Sequence, residues 1–331
     1  MRWVIFGAGA VGGVVAARLA GSGQDVAVIA RGAHLEAIRS GGLTLREPDG
    51  DSVHRIPAYG SPADVDWRPG DAVVLAMKSM DTAAALAALV ASTAAVQPDV
   101  SVLCLQNGVA NEVAALRLFP NVYGVCVMLP ASHLTAGVVV AHCAPVPGIL
   151  DLGCVPHGVD GAAGELSGRL REAGFHSEPR TDIMRWKYAK LLMNLGNAVE
   201  ALCGRVDGLD DAARLVRAEG QTVLGKAGID YVPAEEDAAR RGDILRMRPV
   251  AGNSRSGGSS WQSLARATGT VEADYLNGEI VLLGRLHGVP TPANETARRL
   301  VVEAARTAAG PGSLTPEAFV RAVSEATDTT A

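Results

Sequence analysis

The stretch Trp3-Val4-Ile5-Phe6-Gly7-Ala8-Gly9-Ala10-Val11-Gly12-Gly13 decides how this chain is read. An apolar run enters a G-x-G-x-x-G loop and an Ala/Val-rich helical stretch leaves it, the strand, loop and helix context of a dinucleotide site. Each glycine has its own task. Gly7 allows the tight turn off the strand, Gly9 lets the backbone approach a pyrophosphate, and Gly12 lets the helix pack close to the sheet. Gly7, Ala8, Gly9, Ala10, Val11 and Gly12 are therefore the expected phosphate-binding backbone, with the anion at a helix N-terminus.

One βα unit later, Asp25-Val26-Ala27-Val28-Ile29 reads as a second strand followed by Ala30-Arg31. The residue beyond that strand should meet the adenosine ribose. An acid is usual there in NAD sites, whereas an arginine pairs with a 2′-phosphate in fork geometry. Arg31 thus favours NADP, as NADPH, over NADH. Arg2 and the apolar residues after it also suggest a signal peptide, but Arg18 interrupts the run and the glycines fall in phase with a nucleotide loop.

At 331 residues the chain has room for two domains, and 48% hydrophobic with only 4% aromatic content predicts cores of Ala, Val and Leu. A net charge of −5 speaks against a general nucleic-acid face, which requires a basic surface. No apolar run approaches the roughly 18 residues of a membrane helix. The five cysteines, Cys104, Cys126, Cys143, Cys154 and Cys203, are widely spaced with no C-x-x-C pair, and the histidines form no cluster. Free thiols in a reducing cytoplasm and no metal site are the expectation.

Up to about residue 180, short apolar runs near 2–6, 25–29, 72–77 and 100–105 alternate with helical stretches near 11–22, 33–40, 81–92 and 110–118. That rhythm predicts a parallel sheet with crossover helices. Between Val122 and Leu152, short strand-like pieces separated by Gly and Pro are expected to complete the same domain. Long helical segments follow Thr181, interrupted by the polar loop Gly252–Gly258. The fold class expected is α/β: a Rossmann-type domain over 1–181 and an all-helical domain over 182–331.

Several residues on these elements suit chemistry. Lys78 follows the strand Val73–Met77, at the strand edge where open α/β sheets bind ligands, although a lysine can also simply mark a strand end. Asn107 follows Val102–Leu105 on the same edge; by itself, Asn-Gly reads as a turn. In Trp186–Asn197, helical spacing puts Lys190, Asn194 and Asn197 on one stripe, and two asparagines among Leu, Met and Ala point to a polar pocket. Ser260, in Ser259-Ser260-Trp261-Gln262, sits at a helix start, either to receive a carboxylate or as a plain N-cap. Glu272 is expected on a helix and in isolation reads as a surface glutamate.

Taken together, these residues resemble the ketopantoate reductase (2-dehydropantoate 2-reductase) family. The resemblance runs from Gly7 to about Asn294 and rests on GAGAVGG at 7–13, Arg31, Lys78, QNG at 106–108, KLLMN at 190–194, SSWQ at 259–262, Glu272, Asn277-Gly278 and Gly288–Pro292. It implies that Lys190 is the proton donor, that Asn194 binds substrate, and that Ser260 holds the substrate carboxylate. It implies further that Glu272 contacts the cofactor, that Asn107 lies between cofactor and substrate, and that Arg31 and Lys78 attend the NADP phosphates. The active site would lie in a cleft between the two domains.

Two positions depart from the family pattern. The second asparagine comes seven residues after the lysine, at Asn197, where the family has eight, and Asp207-Gly208 stands where the family often has Asn-Gly. A carboxylate near an anionic 2-oxo acid is unfavourable unless protonated or paired.

The expected reaction is hydride transfer from NADPH to a 2-oxo acid, with the Lys190 ammonium, of ordinary pKa about 10.4, protonating the developing alkoxide. Two other readings stand beside it: a paralogous reductase of another 2-oxo acid or ketone, and a non-catalytic NADP(H)-binding redox sensor. The expected partners are a small-molecule substrate and at most a second copy in a homodimer, with no nucleic acid and no membrane.

Overall fold

A computed structural model describes residues 1–250, 257–267 and 269–330, so residues 252–256 of the expected polar loop lie outside the described residues. The chain divides into two compact units, Met1–Lys187 with Pro233–Arg255, and Tyr188–Val232 with Ser256–Ala331.

In the first unit the strands are β1 (Trp3–Phe6), β2 (Val26–Ile29), β3 (Leu43–Glu47), β4 (Gly50–His54), β5 (Ala58–Tyr59), β6 (Ala72–Leu75), β7 (Ser101–Cys104), β8 (Asn121–Met128), β9 (Ala131–Thr135), β10 (Val138–Ala141) and β11 (Ile149–Cys154). The helices joining them are α1 (Ala10–Gly21), α2 (Gly32–Gly41), α3 (Thr82–Thr93), α4 (Ala110–Leu116) and α5 (Gly161–Glu172). A seven-stranded sheet has the order β11-β8-β7-β6-β1-β2-β5. All neighbouring pairs from β8 to β5 are parallel, and only β11 runs antiparallel, against β8. The chain winds outward from β1 through β2 and then, from β6, in the opposite direction. That doubly wound order places the switch point between β1 and β6.

The alternation of side chains explains why the central strands are apolar throughout. Val74 and Leu103 enter one core with Ile5, Val15 and Leu19, while Val73, Leu75, Val102 and Cys104 enter the other with Leu86, Leu89 and Phe119. A strand covered on both faces has no position at which water selects a polar residue.

The strand-like pieces after Val122 do not all complete that sheet. β9 and β10 instead join β3 and β4 in a separate four-stranded sheet of order β4-β3-β10-β9. This sheet closes on α1 at Gly13, where a Cβ would stand 2.6 Å from Cγ1 of Val139. The fourth glycine of the opening stretch therefore serves packing. Arg2 is buried in an ion pair with Asp71 at 2.7 Å.

The segment Pro233–Arg255 returns to this unit after its partner has begun. It carries the helix Ala234–Arg241, whose Arg240 Nε donates to the buried Asp151 carboxylate at 2.7 Å. Beyond it, Arg248 N–H donates to His142 O and Ala144 N–H to Arg246 O, an antiparallel pairing about Cys143 and Met247.

The helices from residue 183 on are α6 (Ile183–Asn194), α7 (Gly196–Cys203), α8 (Leu209–Lys226), α9 (Ala234–Arg241, described above), α10 (Ser259–Ala265), α11 (Asn277–His287), α12 (Pro292–Arg306) and α13 (Pro316–Thr330). The unit boundary falls within α6, and the second unit contains helices and turns only among the described residues. Its buried side chains include Leu195, Val199, Val216, Val223, Ile280, Val301 and Phe319. The Gly288–Pro292 motif is a helix-to-helix connection: Gly288 ends α11 in the left-handed region at φ 67°, and Pro292 opens α12.

Candidate functional site

In the first unit, the candidate residues follow the carboxyl ends of four adjacent parallel strands: Asn107 after β7, Lys78 after β6, the glycine loop after β1 and Arg31 after β2. Gly7 takes φ 106°, and a Cβ there would stand 2.7 Å from the Met77 backbone nitrogen, beside Lys78. A Cβ on Gly12 would lie 2.1 Å from the Gly7 carbonyl oxygen and 2.7 Å from Cβ of Ala76. Both positions therefore exclude a side chain. Gly9, the N-cap of α1, differs: a Cβ there would meet no protein atom within 4 Å, and the first turn of α1 carries no acid. A helix N-terminus bordered by bare backbone suits a pyrophosphate, so the residues present fit a dinucleotide.

Arg31 is the N-cap of α2 and its side chain is 77% exposed, in a 3.3 Å ion pair with Asp81. Asp81 ends the short 3-10 turn Ser79–Asp81 that Lys78 opens. In the same turn Ser79 Oγ donates to the Asn107 carbonyl at 3.4 Å, so Arg31, Lys78 and Asn107 are tied to one turn. Behind it, Gln106 Nε2 donates to Thr82 Oγ1, Thr82 Oγ1 to Asn111 Oδ1, and Asn111 Nδ2 to Ser79 Oγ and to the Asn107 carbonyl. The Asn-Gly after β7 is thus a turn whose backbone is braced by buried polar groups.

Two first-unit residues escaped the reading of the sequence. His34 accepts the Gly137 N–H at Nδ1, which leaves the ring proton on Nε2 to donate to the Ala8 carbonyl at 2.7 Å. A lone histidine gives no sequence signal for this brace on the glycine loop. Lys187, on α6, is buried and donates to the Gln106 carbonyl at 2.9 Å and to the Val125 carbonyl at 3.2 Å.

In the second unit, Lys190 and Asn194 lie four residues apart on α6, both partly exposed. The expected single helix through Asn197 is interrupted at Leu195, and Asn197 belongs to α7. Its Oδ1 would stand 3.0 Å from a Cβ on Gly258, which brings Asn197 against the start of α10. Gly258 is the N-cap of α10, so Ser260 is not the cap but a buried residue inside the first turn. Glu200, which the sequence reading did not single out, accepts the Gly258 N–H at 3.1 Å and Arg205 Nε at 2.6 Å. Glu272 opens the 3-10 turn Glu272–Tyr275 rather than lying on an α-helix. Asp207 is exposed, next to Gly208 at φ 83°.

Residues 3–157 match the family model described as ketopantoate reductase PanE/ApbA, and residues 182–305 match that of its C-terminal part. A 2-dehydropantoate 2-reductase of Pyrococcus horikoshii is 30% identical over 304 residues, covering 89% of this chain and 94% of that protein. The chain belongs to the ketopantoate reductase family. The family fold extends to a solved ketopantoate reductase from Ralstonia eutropha JMP134, with a TM-score of 0.76, 29% identity and coverage of 93% and 99% of the two chains. A D-mandelate dehydrogenase solved with NADH and anilino(oxo)acetate shares the fold at a TM-score of 0.79 and 24% identity, over 93% and 99% of the two chains. Among the described residues no metal-binding group occurs and no helix is long and apolar enough to cross a membrane.

Proposed function

We propose that this protein is an NADPH-dependent 2-dehydropantoate 2-reductase, reducing ketopantoate to pantoate in pantothenate biosynthesis. The observation that carries the reading is Lys190 and Asn194 one turn apart on α6, in a chain 30% identical to a 2-dehydropantoate 2-reductase over nearly its whole length. In this reading residues 1–181 serve the cofactor and residues 182–331 the substrate. Its setting is the cytoplasm, where the free cysteines stay reduced.

NADPH, when bound, supplies the hydride. The α1 N-terminus and the backbone of Gly7–Gly12 would hold the pyrophosphate, and Arg31 and Lys78 would take the adenosine phosphate. Glu272 would contact the bound cofactor, and Asn107 would lie between it and the substrate. Lys190 as ammonium stabilises charge developing on the substrate's carbonyl oxygen and delivers the proton to it. Asn194 and Asn197 orient the substrate's oxygens, and the Ser260 hydroxyl holds its carboxylate, which fixes the carbon that is reduced.

The test is NADPH oxidation with ketopantoate by wild type and Lys190→Ala. Turnover should fall by about a hundredfold or more in the variant with NADPH binding retained, as expected for a general acid. Unchanged turnover in Lys190→Ala removes the assignment. The shifted Asn197 supports a second reading, the same chemistry on another 2-oxo acid, which a substrate panel including ketopantoate separates.

A further inference from the structure

Leu195 lies between α6 and α7 and so between Asn194 and Asn197. Its carbonyl accepts a hydrogen bond from Nδ2 of Asn277 at 3.1 Å, across 82 positions of sequence. The other hydrogen of that amide goes to Oδ1 of Asn294 at 3.0 Å. Both donors of Asn277 are committed to oxygens, which fixes the orientation of its amide.

Asn294 is fixed in turn. Its Nδ2 donates to the Val216 carbonyl at 2.9 Å and to Oε2 of Glu219 at 2.7 Å, and its backbone N–H donates to the same Oε2 at 2.7 Å. Oε1 of Glu219 accepts the Ala293 N–H at 2.9 Å. A line of oriented bonds therefore runs from Glu219 on α8, through the first turns of α12 and α11, to the α6–α7 joint. Asn277 is 1% exposed and Asn294 is fully buried. From the apolar side α8 reaches the same joint: a Cβ on Gly220 would stand 2.7 Å from Cδ1 of Leu195 and 2.9 Å from Cδ2 of Leu192.

Apolar packing alone would hold these helices together but would tolerate small slips along and about their axes. A hydrogen bond to one carbonyl does not: both Nδ2 hydrogens of Asn277 are held by oxygens, while its buried Oδ1 is left without a partner, a cost that the two donated bonds offset only in this one orientation. We propose that Asn277 is a positioning residue for the reduction: it pins the Leu195 carbonyl, and with it the joint that sets how Asn194 and Asn197 meet the substrate. Asn294 and Glu219 hold Asn277 in that orientation. The inference rests on the substrate role of those two asparagines. Misplacing an orienting group by about 1 Å can cost about a hundredfold in rate.

Asn277→Ala tests this through four readouts: kcat and KM for ketopantoate, pantoate binding by calorimetry, NADPH binding by fluorescence, and the thermal midpoint. The expected result is a loss of about tenfold or more in kcat/KM for ketopantoate and a matching weakening of pantoate binding, with NADPH affinity within about twofold of wild type. Asn277→Ser keeps one donor and should show a smaller loss of the same kind, which keeps the test available if the alanine variant does not fold. A folded variant with wild-type kcat and KM for ketopantoate, whatever its thermal midpoint, overturns the proposal. Asn194→Ala is the control. Unchanged kcat/KM there removes the substrate reading itself, whereas a loss there beside unaffected Asn277 variants removes only the positioning role.

Discussion

The Lys187 ammonium stands 2.5 Å from the Glu112 carboxylate, with the two side chains 2% and 0% exposed. Lys187 also donates to the carbonyls of Gln106 and Val125, so one buried cation holds the first half of α6 to α4, to the turn after β7 and to the middle of β8. The thiol of Cys104 shares this environment, and burial, reinforced by the Glu112 charge, pushes it well above its ordinary pKa.

Removing one partner strands a charge in an apolar interior. Lys187→Met should therefore lower the unfolding free energy by about 3–5 kcal/mol, whereas a matched pair of apolar residues is often neutral. The double variant Lys187→Met with Glu112→Leu should recover most of that loss. Urea unfolding of the three proteins checks this, and a double variant as unstable as the single one refutes it.

The glycines of the opening loop should separate folding from binding. Gly12→Ala sets a methyl 2.1 Å from a backbone oxygen and should fail to accumulate as folded protein. Gly9→Ala meets no protein atom and should keep its thermal midpoint. Its methyl would nevertheless occupy the approach of a pyrophosphate, so NADPH binding should weaken by about tenfold or more. Thermal scans beside fluorescence titration decide it; equal losses of stability in the two variants would be the contrary result.

Arg31 is exposed and leans on Asp81, which competes with any phosphate for the guanidinium. Arg31→Ala should lower the ratio of kcat/KM for NADPH over NADH by about tenfold or more, the worth of a charge-assisted hydrogen bond. Asp81→Asn should leave that ratio unchanged or raise it. A preference indifferent to Arg31 would move the phosphate site elsewhere.

How much of this was legible depended on whether neighbours in sequence carried the signal. Strands such as Val73–Leu75 and Val102–Cys104 are buried on both faces and read as unbroken apolar runs. β3 and β4 are a half-exposed hairpin, with Val53 59% exposed and a turn at Pro48-Asp49, and they carry no unbroken apolar run to mark them. The bond that the Leu195 carbonyl receives could not be read from Leu191–Asn197, because its donor is Asn277, 82 positions away. Lys187 and Glu112 look like solvated charges in isolation, and their burial follows only from the pairing of elements far apart in the chain.

Glu219 gives a pH signature. Burial raises its carboxyl pKa, and the three N–H bonds from Ala293 and Asn294 only partly offset that rise. The folded-state pKa thus lies above the unfolded value, ordinarily about 4.3 for glutamate, and folding takes up a proton in the window between them. The stability attached to neutral Glu219 is full below the unfolded pKa and is lost as pH rises through the raised folded value. Glu219→Gln has no such titration. Its loss of one carboxylate acceptor gives a constant offset, but the unfolding free energy of the variant minus that of wild type should rise with pH through this window and then level off. Urea unfolding at intervals from pH 4 to pH 8 measures that difference. A flat difference would mean that the carboxyl titrates alike in both states, and a falling one that the N–H bonds outweigh burial.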